Sequence, residues 1–121
     1  MTKALLIEDD ADTRQIYRLL LQHAGWSVVD APSGEIGLQL MASHRPQLVL
    51  LDLGLPKLSG LEIIEDLLRL HKAPIIVVSG SEESAAEAVR LGAADFLLKP
   101  FDPFDELMPM IERVVGAANS P

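Results

Sequence analysis

The sequence has no cysteine, so neither a disulfide framework nor a thiolate metal site is available to it. It has no apolar run near the ~18 residues needed to cross a bilayer, and the opening "MTKALLIEDD" lacks the features of a secretory leader. A cytoplasmic domain is therefore expected. Cations are scarce: 10 Lys and Arg stand against 18 Asp and Glu, for a formal charge of −8. That balance argues against an electrostatic hold on nucleic acid or on an anionic membrane by this domain alone. No glycine-rich loop leads into a lysine of the kind that cradles nucleotide phosphates, and there is no repeat, linker or low-complexity tract. With 121 residues, 49% of them apolar, residues 1–121 suffice for one core but not for a second module. The last residues, about 117–121, are expected to form a frayed tail.

What the chain does have is alternation. Apolar runs at 4–7, 27–29, 48–51, 75–78 and 96–98 read as strands. Three of them are continuously apolar, as suits central parallel strands covered on both faces. Helical patterns lie between them. Ile16, Leu19, Leu20 and Ala24 define the expected buried face of the first helix, and Gly25 stops it. Ser33 is placed to cap the second, with Ile36, Leu40 and Met41 inward. Leu61, Ile64 and Leu68 mark the third, over 60–70. Ser81 with Ser84 caps the fourth, with Ala85, Ala88 and Val89 inward and Gly92 as its stop. Asp102 and Pro103 begin the fifth, in which Pro109 predicts a kink, or a helix regular only after it. Five successive strand–helix units predict a doubly wound sheet, whose ligands bind beyond the carboxyl ends of the strands.

Those ends carry chemistry. The first strand delivers Glu8, Asp9 and Asp10, the third Asp52, the fourth Ser79, and the fifth Lys99-Pro100. Carboxylates ~4 Å apart at an effective dielectric near ~20 repel by about 4 kcal/mol per pair, which solvent or a cation must relieve. Hard oxygen ligands suit Mg²⁺, which keeps several waters and takes one or two protein carboxylates. With a lysine to neutralise phosphoryl oxygens, Asp52 is placed to act as a nucleophile that forms an aspartyl-phosphate. Taken singly, each residue has an ordinary structural use. Asp10 and Asp12 suit a helix N-terminus, Asp52 and Ser79 suit turns or caps, and Lys99 suits a solvated surface. Their joint arrival at successive strand ends is what points to a site.

The segments "LLIEDDADTR", "LVLLDLGLPKLSGLE", "IIVVSG" and "GAADFLLKPF" together resemble the receiver domain of two-component response regulators, in order and over essentially the whole chain. The resemblance implies a flavodoxin-like (βα)5 sandwich with five parallel strands in the order 2-1-3-4-5. It implies that Asp52 accepts phosphate from a phosphohistidine on a sensor histidine kinase or histidine phosphotransferase. Asp9, Asp52 and the backbone carbonyl of Gly54 would ligate Mg²⁺, with Glu8 acting through water. Lys99 would contact the phosphoryl oxygens, Ser79 would swing inward to them, and Phe96 would fill the space vacated. The Lys99–Pro100 bond is expected to be cis. The surface of the fourth helix, fifth strand and fifth helix would change for an unidentified downstream protein.

Several positions depart from the usual pattern: Glu8 for Asp, Ser79 for Thr, Phe96 for Tyr, and Leu55 and Leu58 for methionines. None removes a group that phosphorylation needs. Ala94 and Met110 stand where two charges of the ion-pair network used for dimerisation are expected, which argues against that assembly; Met108, Pro109 and Met110 offer either an apolar contact or buried packing. Gly54 and Ser81 flank the approach of water without an acid or amide to orient it, so slow self-dephosphorylation is expected. The alternative within this class is an interaction module that no longer undergoes phosphotransfer. A flavodoxin-type carrier conflicts with "EDDAD", which would repel the FMN phosphate. A haloacid-type phosphatase requires an acid where Gly54 stands. Whether the domain stands alone or belongs to a larger regulator or hybrid kinase is left open.

Overall fold

The computed structural model describes residues 2–54 and 60–118. Strands β1 (Lys3–Ile7), β2 (Ser27–Ala31), β3 (Leu48–Asp52), β4 (Ile75–Ser79) and β5 (Asp95–Leu98) alternate with helices α1 (Ala11–His23), α2 (Gly34–His44), α3 (Gly60–Leu70) and α4 (Glu82–Arg90). A π-helical turn, Pro103–Leu107, then leads into α5 (Met108–Ala118). All strand pairs are parallel, as the alternation predicts for a doubly wound sheet, and the order is β2-β1-β3-β4-β5, the flavodoxin-like order that the resemblance implies.

Strand parity divides the core. Ala4, Leu6, Leu48, Leu50, Ile76, Val78 and Leu97 point to one side, where Tyr17 and Leu21 of α1 and Met110, Ile111 and Val114 of α5 cover them. Leu5, Ile7, Val49, Leu51, Ile75 and Val77 point to the other, under Met41 of α2, Ile63, Ile64 and Leu67 of α3, and Ala88 of α4. Every residue of β3 and β4 is buried, which accounts for their unbroken apolar sequences.

Caps fall where local chemistry requires them. The side chains of Asp10, Ser33, Ser81 and Asp102 each accept a backbone N–H in the first turn of the segment that follows. Gly25 and Gly92 take positive φ, 97° and 121°, just past α1 and α4, where a side chain would be strained.

The helix faces required three corrections. Ile16 and Leu19 are more than half exposed, and Ala24 is exposed as the C-cap; Tyr17 and Leu21 are the buried residues of α1. The helix is rotated by about one residue because Tyr17 inserts its ring, stacked on Phe101 at 6.3 Å. In α2, Ile36 is partly exposed while Gly34 and Gly37 are buried. A Cβ on Gly37 would lie 2.5 Å from Ile7 Cδ1, so this helix seats its glycine face, not only its apolar one, on β1. In α4, Val89 is exposed and only Ala85 and Ala88 are buried.

Near Pro109 the irregularity precedes the proline. The π turn carries Met108 N–H to the Pro103 carbonyl, and α5 runs regularly from Met108 through Ala118. Residues 117 and 118, assigned to a frayed tail, are helical. Met110 is buried and Met108 partly so, which settles those methionines as packing, while Pro109 is exposed. The loop replacements Leu55 and Leu58 lie outside the described residues.

Candidate functional site

Register alone assembles the site. Ile7 pairs with Leu51, so Glu8 and Asp52 leave adjacent strands side by side. Asp52 pairs with Val78, which puts Ser79 one step beyond it, and Ser79 pairs with Leu98, which puts Lys99 one step further. β1, β3, β4 and β5 thus each deliver a polar residue one position past the last apolar one.

Asp52 and Glu8 are buried, 5% and 2% exposed, among apolar strands that give them no solvent to relieve repulsion. Asp52 Oδ1 accepts the Gly54 N–H at 2.8 Å, and Oδ2 accepts Lys99 Nζ at 2.8 Å. Burial by itself raises the Asp52 carboxyl pKa. The neighbouring Glu8 carboxyl, the hydrogen bonds from Lys99 and Gly54, and the Lys99 charge together outweigh it and hold the group below the ordinary carboxylate value. Glu8 moves the other way. Burial first, then the neighbouring Asp52 carboxylate, push its pKa up to about 8. One of its oxygens accepts the Asp10 N–H at 3.2 Å, and the other, Oε1, is buried with no partner. The two carboxyls are thus pushed in opposite directions, Glu8 toward holding a proton and Asp52 toward ionisation.

Asp9 is exposed beside Glu8, and Asp10 turns away from the pocket to cap α1, accepting the Thr13 N–H at 2.8 Å and its hydroxyl at 2.7 Å. Ser79 is buried, but its hydroxyl engages Ser81, donating to the carbonyl at 3.1 Å and accepting the N–H at 3.0 Å. Phe96 is half-buried against the cluster under α2, α3 and α4. The Lys99–Pro100 peptide is cis, as expected.

The residues fit a hard divalent cation. A buried carboxyl with an unpartnered oxygen, next to a second buried carboxylate, is a place where a cation can relieve the repulsion. Among the described residues no group of three Asp, Glu, His or Cys side chains forms a metal cage on its own.

Reading the strand ends did not reveal two neighbours of the pocket. Tyr17 is buried close enough to Asp52 and Glu8 that burial and their charges push its pKa up to about 12. Arg14 donates Nη1 to the Glu8 carbonyl at 2.9 Å. One sequence signal was available for it: a cation in the fourth position of α1 opposes the helix dipole.

Fold and pocket together define a doubly wound α/β domain with a lysine-paired aspartate beside an acidic pair at its switch point. A profile of the response regulator receiver domain matches residues 4–112, and the chain belongs to that family, the receiver domains of two-component systems. The transcriptional regulatory protein KdpE of Mycobacterium tuberculosis is 35% identical over 117 residues, covering 95% of this chain and 51% of that protein. The chain thus spans about half the length of the curated relatives it matches. A CheY-like receiver domain from Methanospirillum hungatei superposes with a TM-score of 0.87 at 26% identity, covering 98% and 97% of the two chains. A response regulator from Burkholderia pseudomallei, solved with a phosphorylated aspartic acid, a calcium ion and citrate, gives 0.83 at 25% identity, covering 98% of this chain and 71% of that one. Among the described residues no helix is long and apolar enough to cross a membrane.

Proposed function

We propose that this domain is a phosphorylation-dependent switch in which Asp52 takes a phosphoryl group from a phosphohistidine on a sensor kinase or histidine phosphotransferase. The observation that carries the reading is the Asp52 carboxylate, buried, kept ionised, and held by Lys99 and the Gly54 N–H on its two oxygens. The phosphorylated aspartate and calcium ion in the Burkholderia relative are consistent with it.

In the transfer, a lone pair on a carboxylate oxygen of Asp52 attacks phosphorus. The bond to the donor imidazole nitrogen breaks with its electron pair, and the imidazole leaves neutral after taking a proton. Gly54 and Lys99 fix the carboxylate so that little reorganisation is needed at that moment. Lys99 then follows the new negative charge onto the phosphoryl oxygens. Asp9, Asp52 and the Gly54 carbonyl would hold Mg²⁺, with Glu8 acting through water, and the ion would supply neutralisation of phosphoryl charge.

The product carries roughly 1.5–2 negative charges. That charge competes with Ser81 for the Ser79 hydroxyl, and movement of Ser79 makes room for Phe96. The population then shifts toward a second arrangement of α4, β5 and α5 that a downstream protein distinguishes. The donor itself meets exposed apolar side chains on the segments that follow β1 and β5: Ile16 and Leu19 on α1 and Phe104, 64% exposed, in the π turn. Neither Gly54 nor Ser81 carries an acid or amide to orient water, so the phosphoryl group outlives seconds.

The test is a small phosphodonor with Mg²⁺, applied to the wild type and to Asp52→Asn, with intact mass measured. A phosphate adduct on the wild type that is missing from the variant supports the reading. No adduct on the wild type overturns it.

A further inference from the structure

Glu8 is held from outside its own strand at both ends of its backbone. Its N–H donates to the Ala31 carbonyl of β2 at 3.0 Å, and its carbonyl accepts Arg14 Nη1 at 2.9 Å. Arg14 Nε in turn bonds Asp30 Oδ2 at 3.1 Å, and the other oxygen of Asp30 pairs with Arg18. Arg14 Nη1 also lies 3.5 Å from the Asp9 carbonyl. Arg14, anchored by Asp30, thus braces the turn that carries the acidic pair against the end of β2, while Arg18 shares Asp30 through its other oxygen.

The choice of residue is informative. A cation this near the start of a helix is disfavoured by the dipole, and one beside a cation site disfavours its ligand. Both costs are tolerated for a planar fork that bonds a carboxylate with one nitrogen and a carbonyl with another. A lysine, with a single ammonium, does not reproduce that geometry. We propose that Arg14, anchored by Asp30, is a positioning residue that fixes the Glu8–Asp9 turn so that its carboxylates are preorganised for a divalent cation. The proposal rests on the functional reading above.

Charge and position make opposite predictions here, which allows a clean test. On Coulomb grounds, Arg14→Gln removes a nearby positive charge and tightens Mg²⁺ binding. On positioning grounds it loosens the turn and weakens binding. Arg18→Gln is the matched control, since it removes a guanidinium from the same aspartate without touching Glu8. Mg²⁺ dissociation constants are measured by calorimetry on wild type, Arg14→Gln, Arg14→Lys and Arg18→Gln, each confirmed folded by its melting transition. Backbone amide exchange at Asp9 and Asp10 is followed in the metal-free proteins.

The expected result is a roughly tenfold weaker affinity in both Arg14 variants, the size typical when a group supporting a metal ligand is lost. Arg18→Gln should stay within about twofold of wild type, its charge being largely screened. Amide exchange at Asp9 and Asp10 should accelerate in the Arg14 variants only. Unchanged or tighter binding in Arg14→Gln overturns the proposal, as does an equal loss in Arg18→Gln. A wild type that binds no Mg²⁺ overturns the functional reading instead, and amide exchange then decides whether the brace exists.

Discussion

The Ser79 hydroxyl makes two hydrogen bonds to one residue, donating to the Ser81 carbonyl at 3.1 Å and accepting the Ser81 N–H at 3.0 Å. It is therefore satisfied without Asp52, and a phosphoryl group must offer more than these two bonds, each worth about 0.5–1.5 kcal/mol net, to draw it inward. Ser79→Ala should still form the phosphate adduct, because the hydroxyl is not among the groups holding the carboxylate. The variant should lose the change in Phe96 environment that accompanies phosphorylation of the wild type. Aromatic resonances recorded with and without phosphodonor check this; a Phe96 shift of wild-type size in Ser79→Ala would remove serine from the switch.

The Glu8 pKa, raised from 4.5 to about 8, makes metal-free stability depend on pH with a definite sign. Between those values the folded state holds a proton that the unfolded chain has lost. The contribution is therefore fully present below about 4.5 and is lost as pH rises through about 8. Urea midpoints of the metal-free protein should fall across pH 5 to 8, and Glu8→Gln should flatten that slope. Saturating Mg²⁺ should flatten it as well, since the cation replaces the proton. An identical slope in Glu8→Gln would place the titration elsewhere.

Gly37 is required by proximity, since its φ is ordinary and Ile7 leaves no room for a Cβ. Gly37→Ala should destabilise the fold by about 1–3 kcal/mol, the usual range for overpacking a tight contact. Ile7→Val in the same chain removes the methyl nearest the new Cβ and should recover part of the loss. Denaturant unfolding of the single and double variants measures this coupling; strict additivity would mean that the two side chains do not meet.

Ile16 and Leu19 spend their apolar surface on solvent, 55% and 53% exposed, on the helix that follows the acidic turn. Ile16→Ser with Leu19→Ser should leave stability within about 1 kcal/mol, as expected for two surface positions outside the core. Phosphorylation by a small donor should keep its rate. Transfer from a phosphohistidine protein should slow at least about fivefold, the loss of roughly 1 kcal/mol of apolar contact. Equal slowing with both donors would show damage to the site rather than to docking.

The sequence by itself determined the order of strands and helices, the four side-chain caps, and the identity of the polar residues at the strand ends. These depend on neighbours within a few positions: continuous apolar runs, Ser or Asp ahead of a helix, glycine after it. Parallel pairing then turns strand ends into a site with no further information, because each register fixes the next. Tertiary structure decided what depends on a surface the chain does not encode locally. Tyr17, rather than Ile16 or Leu19, faces the core because α1 is turned by the ring that stacks on Phe101. Ser79 bonds Ser81 because the loop after β4 folds back on it. Glu8 and Asp52 are pushed in opposite directions because Lys99 and Gly54 stabilise charge on Asp52. Arg14 reaches the Glu8 carbonyl only because β2 brings Asp30 beside α1, an alignment set by packing and invisible to periodicity.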